Sequence, residues 1–291
     1  MDPVKLGQGK GISTQEERER EFPYQQADFE QVRQKIYNHA GISLADHKKD
    51  LVYNRLVRRL RALEIDSFNS YLKFLDSAPA EMSQFVNAMT TNLTSFYREA
   101  HHFEFLSETY IPQLEQSGQR KLRIWSSACS VGEEPYSIAI SLLEAGISPE
   151  RWDIKIYATD IDTDVLATAK EGIYPIDRVD GLSLTRKKLG FLRGKDSHSD
   201  KVIVKPCVKA MLQFEHCNLM EPWNIQEKLD VIFCRNVMIY FDKETQTRLL
   251  NRMTDLLKPG GMLFIGHSES PARSMKDYQL LGRTMYQKRL A

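Results

Sequence analysis

Apolar residues recur at helical spacing through the first third of the chain. Phe29, Val32 and Ile36, followed by His39 or Ala40, fall on one face, and Gly41 is placed to end that helix. The same period predicts further helices over 45–63, 67–75 and 80–89. Together they make a small all-helical unit of about four helices. The pattern then changes to apolar runs alternating with amphipathic stretches. Strands are predicted at 122–127, 154–158, 211–215, 229–234 and 262–265, with a last one at 280–287. Helices are predicted at 135–145, 163–170 and 243–257, the last stopped by Lys258-Pro259-Gly260-Gly261. Such alternation argues an α/β fold with a parallel-rich sheet covered by helices. Between 176 and 210 the rhythm breaks into a basic helical piece, a polar turn and an alternating strand around Val202 and Val204. This segment reads as an inserted β-subdomain, 177–209, with an exposed edge. The expected organisation is a disordered tail at 1–21, a helical domain at 22–90, a linker at 91–117 and the α/β domain at 118–291.

The most informative stretch is Leu122 to Ser137, Leu-Arg-Ile-Trp-Ser-Ser-Ala-Cys-Ser-Val-Gly-Glu-Glu-Pro-Tyr-Ser. It reads as strand, small-residue turn, one glycine, two carboxylates, and a helix with proline in its first turn. An open α/β sheet binds its cofactor at such a place. A phosphate cradle would want several glycines and no nearby anion. Glu133 and Glu134 would repel a pyrophosphate and suit a cationic, phosphate-free cofactor such as S-adenosylmethionine. The competing reading, glutamates that only complement the helix dipole, has equal weight on this stretch alone.

Bulk properties narrow the partners. In 291 residues the formal net charge is +1, so attraction to a charged partner must come from a local patch. The four cysteines show no C-x-x-C spacing, and no signal peptide or membrane-length apolar run is seen. They read as reduced thiols of a cytoplasmic protein. His216-Cys217 lacks two further ligands at sensible spacing, so no metal site is expected. The helix over 45–63 carries Lys48, Arg55, Arg58, Arg59 and Arg61. Such a run is commonly a solvated face, but this one is lopsided enough to predict an acidic partner.

Several polar residues sit where a strand meets a loop. Asp160 ends the second strand, the usual place for a ribose ligand, while Asp162 is better placed to cap the next helix. Asn218 and Leu219 follow the third strand and could read an adenine edge and face, or simply form a turn. Arg235 and Asn236 follow the fourth, where a charge is costly without a partner. Tyr240 could orient a carboxylate at a cleft mouth or pack beside Phe241 as a core aromatic. The segment Thr91 to Glu99 is dense in hydrogen-bonding side chains. It could close over a cofactor, with Asn92 instead a helix cap and Arg98 a surface ion-pair partner.

Three stretches, Thr-Asn-Leu-Thr-x-Phe-x-Arg-Glu, Ser-x-Gly-Glu-Glu-Pro-Tyr-Ser and Phe-Cys-Arg-Asn-Val-x-Ile-Tyr-Phe, resemble bacterial chemoreceptor methyltransferases of the CheR type. Ala45 to Asp50, Leu257 to Gly261 and Gly266-His267-Ser268-Glu269 add to the likeness, which covers about Phe29 to Tyr286. The resemblance implies a Rossmann-like S-adenosylmethionine methyltransferase domain with a β-subdomain insertion, behind a small helical domain. It implies that Asn92, Thr94 and Arg98 touch the methionine end of the cofactor, that Glu134 binds its amino group, and that Asp160 holds the ribose. Asn218 and Leu219 would line the adenine, and Arg235 and Asn236 would complete the pocket. Arg98 and Tyr240 would orient a glutamate carboxylate of a chemoreceptor, leaving its methyl ester and S-adenosylhomocysteine. The basic helix would meet the acidic receptor bundle, and the β-subdomain a C-terminal receptor tether by strand addition. A nucleic-acid methyltransferase is the rival enzyme. It would need an Asn/Asp-Pro-Pro-aromatic motif, and Glu221-Pro222-Trp223 fits that poorly. A cofactor-binding adaptor without activity is the non-enzymatic rival.

Overall fold

The structure is a computed structural model and describes residues 20–269 and 275–290. The expectation of a disordered tail at 1–21 lies almost wholly outside the described residues. Four helices come first: α1 (Gln26–Ala40), α2 (Lys49–Ala62), α3 (Phe68–Leu75) and α4 (Pro79–Met89). Gly41 ends α1 in the left-handed conformation, as its position suggested. Ser67 caps α3 through its hydroxyl. The expected helix at 45–63 is a 3-10 turn, Asp46–Lys48, running into α2.

The basic face of α2 is partly used within the protein. Arg59 does not project with Lys48 and Arg58. Its guanidinium forks onto Glu81, which is buried and also accepts the Tyr71 hydroxyl at 2.8 Å. Arg55 donates to the Met89 carbonyl at 2.7 Å and to Thr91 Oγ1 at 2.9 Å, and Arg61 pairs with Glu21. Among the described residues, no ion pair engages Lys48 or Arg58.

The segment expected as linker, 91–117, is helical over much of its length. α5 (His101–Phe105) runs through a π-helical turn, Leu106–Tyr110, into α6 (Ile111–Gln116). Phe103, Leu106, Tyr110 and Ile111 bury one face against the sheet. Then follow β1 (Lys121–Ser126), α7 (Glu133–Glu144), β2 (Asp153–Asp160) and α8 (Thr163–Glu171). The inserted region holds β3 (Ile173–Pro175), α9 (Leu184–Gly190), β4 (Phe191–Arg193), β5 (Lys201–Val204) and α10 (Pro206–Lys209). Its three strands form a separate antiparallel sheet, β3-β5-β4, which starts ahead of residue 177. β6 (Leu212–His216), β7 (Leu229–Cys234), α11 (Lys243–Leu256), β8 (Leu257–Ile265), β9 (Tyr278–Gly282) and β10 (Met285–Lys288) complete the chain.

The main sheet has the order β6-β2-β1-β7-β8-β10-β9. The first five strands are parallel and the last two antiparallel. The order reverses beside β1, whose neighbours are β2 on one side and β7 on the other, and this is where an open sheet makes its crevice. Two expectations differ. The run Lys258-Pro259-Gly260-Gly261 lies inside β8, not before it, because a register shift against Leu229 and Val231 absorbs the extra backbone. The final strand at 280–287 is a hairpin, turned at Arg283 and Thr284, both at positive φ.

One apolar cluster joins the helical unit to the α11 side of the sheet, and a second fills the space between the sheet and α5–α7 and α9. Polar bonds fix how the helical unit meets the sheet. Asn87 and Thr163 bond twice, Ser43 N–H donates to the Tyr240 carbonyl at 2.8 Å, and Tyr37 donates to Asp242 at 2.6 Å. The carboxyl ends of β1, β2, β6 and β7 are thereby covered by the end of α1 and by the segment after α4.

Removing the Glu81 carboxylate would leave the Tyr71 hydroxyl and the half-buried Arg59 unpartnered. Glu81→Ala is expected to lower unfolding free energy by about 2–3 kcal/mol. Urea denaturation checks this, and an unchanged midpoint would show that the pair is worth nothing to the helical unit.

Candidate functional site

The turn after β1 separates its two glutamates. Gly132 sits at φ +95°, and a Cβ there would come within 2.9 Å of both the Ala169 Cβ and the Tyr174 hydroxyl. This tight approach starts α7, and successive residues then point to different sides. Glu133 is fully buried and faces away from the crevice. It accepts Arg178 Nε at 2.8 Å and Nη2 at 2.7 Å, and Arg178 also donates to the Thr94 carbonyl at 2.8 Å. Glu134 faces the crevice and accepts the Ser126 hydroxyl at 2.7 Å and Arg235 Nη1 at 3.0 Å. Burial raises the pKa of both carboxyls, opposed in Glu133 by Arg178 and in Glu134 by Arg235 and Ser126.

Asp160 closes β2 with each oxygen singly engaged. Oδ2 accepts Ser130 N–H at 2.8 Å and Oδ1 accepts Asp162 N–H at 3.0 Å. Each oxygen keeps a lone pair for a further donor, the demand of a ribose diol. Burial pushes this carboxyl up to about 6. Asp162 caps α8, its Oδ1 accepting Asp164 and Val165 N–H. Its Oδ2 accepts the Asn92 amide at 2.7 Å and lies 2.7 Å from Thr90 Oγ1. Asn92 is therefore held by a helix cap instead of capping a helix itself.

The side chain of Arg235 is 1% exposed. Besides Glu134 it donates Nη2 to the Arg98 carbonyl, and it lies 3.6 Å from Glu99. The next residue, Asn236, has φ +58°. That backbone conformation is fixed by Glu269, which accepts N–H groups from Asn236 at 3.0 Å, Gly266 at 2.6 Å and Ile239 at 3.3 Å. Asn218 donates its amide to the His39 carbonyl at 2.6 Å and accepts Met220 N–H at 3.0 Å, so its side chain ties β6 to α1. Leu219 beside it is buried. Arg98 Nη1 donates to the Leu93 carbonyl at 2.9 Å, and the Tyr240 hydroxyl to the Thr91 carbonyl at 3.4 Å.

One cleft is lined by every residue predicted for cofactor or substrate: Asn92, Thr94, Arg98, Glu134, Asp160, Asn218, Leu219, Arg235, Asn236 and Tyr240. The basic residues of α2 do not line it, although Arg55 reaches Thr91 on its rim. Sequence reading missed the work of Arg178 and Glu269. It also missed a group behind the cleft, Glu99, His101 and His102, whose ligating atoms lie within 4.8 Å of one another. His267 Nδ1 lies 3.0 Å from Glu99 on its outer side. Only burial could have exposed these roles, since none of these residues stands in a periodic apolar pattern.

A mostly parallel sheet with an acid-lined, glycine-poor cleft at its switch point defines a Rossmann-like enzyme of the S-adenosylmethionine-dependent methyltransferase class. Residues 92–286 match the family model described as CheR methyltransferase, SAM binding domain, and 27–90 that of the CheR methyltransferase all-alpha domain. The chain is 49% identical over 269 residues to chemotaxis protein methyltransferase 2 of Pseudomonas aeruginosa, covering 91% of this chain and 94% of that one. It is 48% identical over 264 residues to the chemotaxis protein methyltransferase of Salmonella typhimurium, covering 89% of each. It is 45% identical to that of Escherichia coli, again over 264 residues, covering 89% of this chain and 90% of that one. The chain belongs to the CheR methyltransferase family, and its cofactor is S-adenosylmethionine.

The Asp160 environment predicts a pH dependence. Its pKa is raised, so the carboxyl takes up a proton as pH falls through about 6 and then offers a diol one acceptor fewer. Cofactor affinity is expected to weaken by about tenfold between pH 7 and pH 5, the amount one proton supplies. Calorimetric titration across that range checks it, with Asp160→Asn expected to flatten the profile. A flat wild-type profile would remove Asp160 from the ribose.

Proposed function

We propose that this protein methylates glutamate side chains in the cytoplasmic domains of chemoreceptors, giving glutamyl methyl esters during chemotactic adaptation. The observation that carries this reading is the composition of the cleft. Arg98 and Tyr240 both line it, together with Glu134 and Asp160, and are two groups able to hold an anion without protonating it. Asp160 holds the ribose hydroxyls, Glu134 faces the amino group, and Leu219 packs on the adenine. Asn92 and Thr94 close over the methionine end, with Asn92 fixed by Asp162 and Thr94 by Arg178. When bound, the cofactor supplies a sulfonium methyl that a carboxylate oxygen takes in line, leaving the ester and S-adenosylhomocysteine. A glutamate is already ionised at neutral pH, so no general base is needed. The work left to the protein is alignment and exclusion of water.

Receptor docking extends beyond the cleft. Lys48 and Arg58, together with Arg55 and Arg61 where their partners release them, face the acidic receptor bundle. Arg59 supports this face from behind through Glu81. The small sheet has free edges at β3 and β4, and a receptor C-terminal tether adds to one of them as a strand. The protein works in the cytoplasm without entering the membrane. Among the described residues no helix is long and apolar enough to cross one. Nucleic acid is not its substrate.

Labelled methyl transfer to membranes containing chemoreceptors tests this reading, with a nucleic-acid control. Label on receptor that base releases is expected; label on nucleic acid would reject the substrate. Arg98→Ala is expected to cut turnover about 100-fold while changing cofactor affinity about twofold at most. Equal losses in both would place Arg98 on the cofactor alone.

A further inference from the structure

The segment that follows α4 is held from the side of the inserted region. Asn92, Leu93, Thr94, Ser95 and Arg98 all line the cleft. Phe96, between them, is buried with its ring edge-to-face against Tyr174 of β3 and Phe191 of β4, centroids 5.0 and 5.2 Å apart. The guanidinium of Arg186 on α9 lies 3.7 Å over the Tyr97 ring. Arg178, in the 3-10 turn after β3, donates to the Thr94 carbonyl at 2.8 Å. Tyr174 also reaches the turn after β1, where its hydroxyl donates to the Val131 carbonyl at 2.5 Å, next to cleft-lining Ser130.

Among these contacts, charge makes the one through Arg178 obligatory. Glu133 is fully buried, and its carboxylate is costly there without a cation. Arg178 meets one oxygen with Nε at 2.8 Å and the other with Nη2 at 2.7 Å, a two-point fork that fixes the plane of the guanidinium. Nη2 carries two N–H groups. One is spent on Glu133, and the fixed plane aims the other at the Thr94 carbonyl. A lysine could neutralise Glu133, but a point charge on a flexible stem fixes no second direction. Building on the reading that Thr94 closes over the methionine end of the cofactor, we infer that the inserted region is a working part of the cofactor site and that Arg178 is its positioning residue. Buried Glu133 sets the guanidinium, and the guanidinium sets the backbone that meets the amino-acid part of the cofactor.

Calorimetric titration with S-adenosylhomocysteine and with 5′-methylthioadenosine tests the inference, since the second ligand keeps the nucleoside and the sulfur but lacks the amino-acid part. Arg178→Met alone would strand a buried carboxylate, so it is combined with Glu133→Gln, which removes the charge and its partner together. This double variant and, separately, Arg178→Lys are expected to weaken S-adenosylhomocysteine binding about tenfold, the effect of one lost charge-assisted hydrogen bond. Binding of 5′-methylthioadenosine should change about twofold at most. The double variant should unfold near the wild-type thermal midpoint, which separates positioning from stability. Unchanged S-adenosylhomocysteine affinity in both variants would overturn the inference and leave the reading of the cleft intact. Equal weakening of the two ligands would show that Thr94 does not face the methionine end, rejecting that placement together with the inference.

Discussion

A single buried guanidinium organises the cleft. Arg235 leaves the end of β7 with almost no solvent contact, and a charge placed there costs several kcal/mol unless it is paired. Its partners come from different parts of the chain: Glu134 on α7, and the Arg98 carbonyl and Glu99 on the segment that follows the helical unit. Satisfying this one cation therefore fixes the carboxylate on the cleft floor and the backbone of Arg98 together. Glu269 does the neighbouring work. By collecting three backbone N–H groups it holds the left-handed Asn236 and the turn that delivers Tyr240.

The same logic explains why the helix start carries two acids. Glu133 is consumed by Arg178, which ties α7, the 3-10 turn after β3 and the Thr94 carbonyl into one contact. Of the two, Glu134 alone lines the crevice, where Asp160 adds a second carboxylate. With no run of glycine N–H groups and two acids on its floor, the site is hostile to a pyrophosphate. It is suited to a nucleoside bearing positive charge.

Much of this was legible in the sequence because the relevant signals are local. The helical period through Phe29, Val32 and Ile36, the stop at Gly41 and the apolar core of β7 each specify an element without help from distant residues. Asp160 and Glu134 could be placed because strand ends in an alternating α/β pattern converge on one edge. The misses are tertiary. The Arg283–Thr284 turn lacks the Asn-Gly chemistry that announces a hairpin, and the two glycines at 260–261 form a bulge where they read as a stop. The bond from the Asn218 amide to the His39 carbonyl spans 179 positions, so no local pattern announces it. Arg59 looked like its neighbours on a basic face until Glu81 folded against it. Periodicity reports which face is buried, and it says nothing of which long polar side chain bends back to meet a partner.

The central claim is that this acidic cleft is built for a phosphate-free sulfonium nucleoside. Calorimetric titration of the full chain with S-adenosylhomocysteine and, separately, with NAD tests it most directly. Saturable one-to-one binding of S-adenosylhomocysteine at the cleft is expected, with no measurable binding of NAD. Saturable binding of NAD with none of S-adenosylhomocysteine would contradict it.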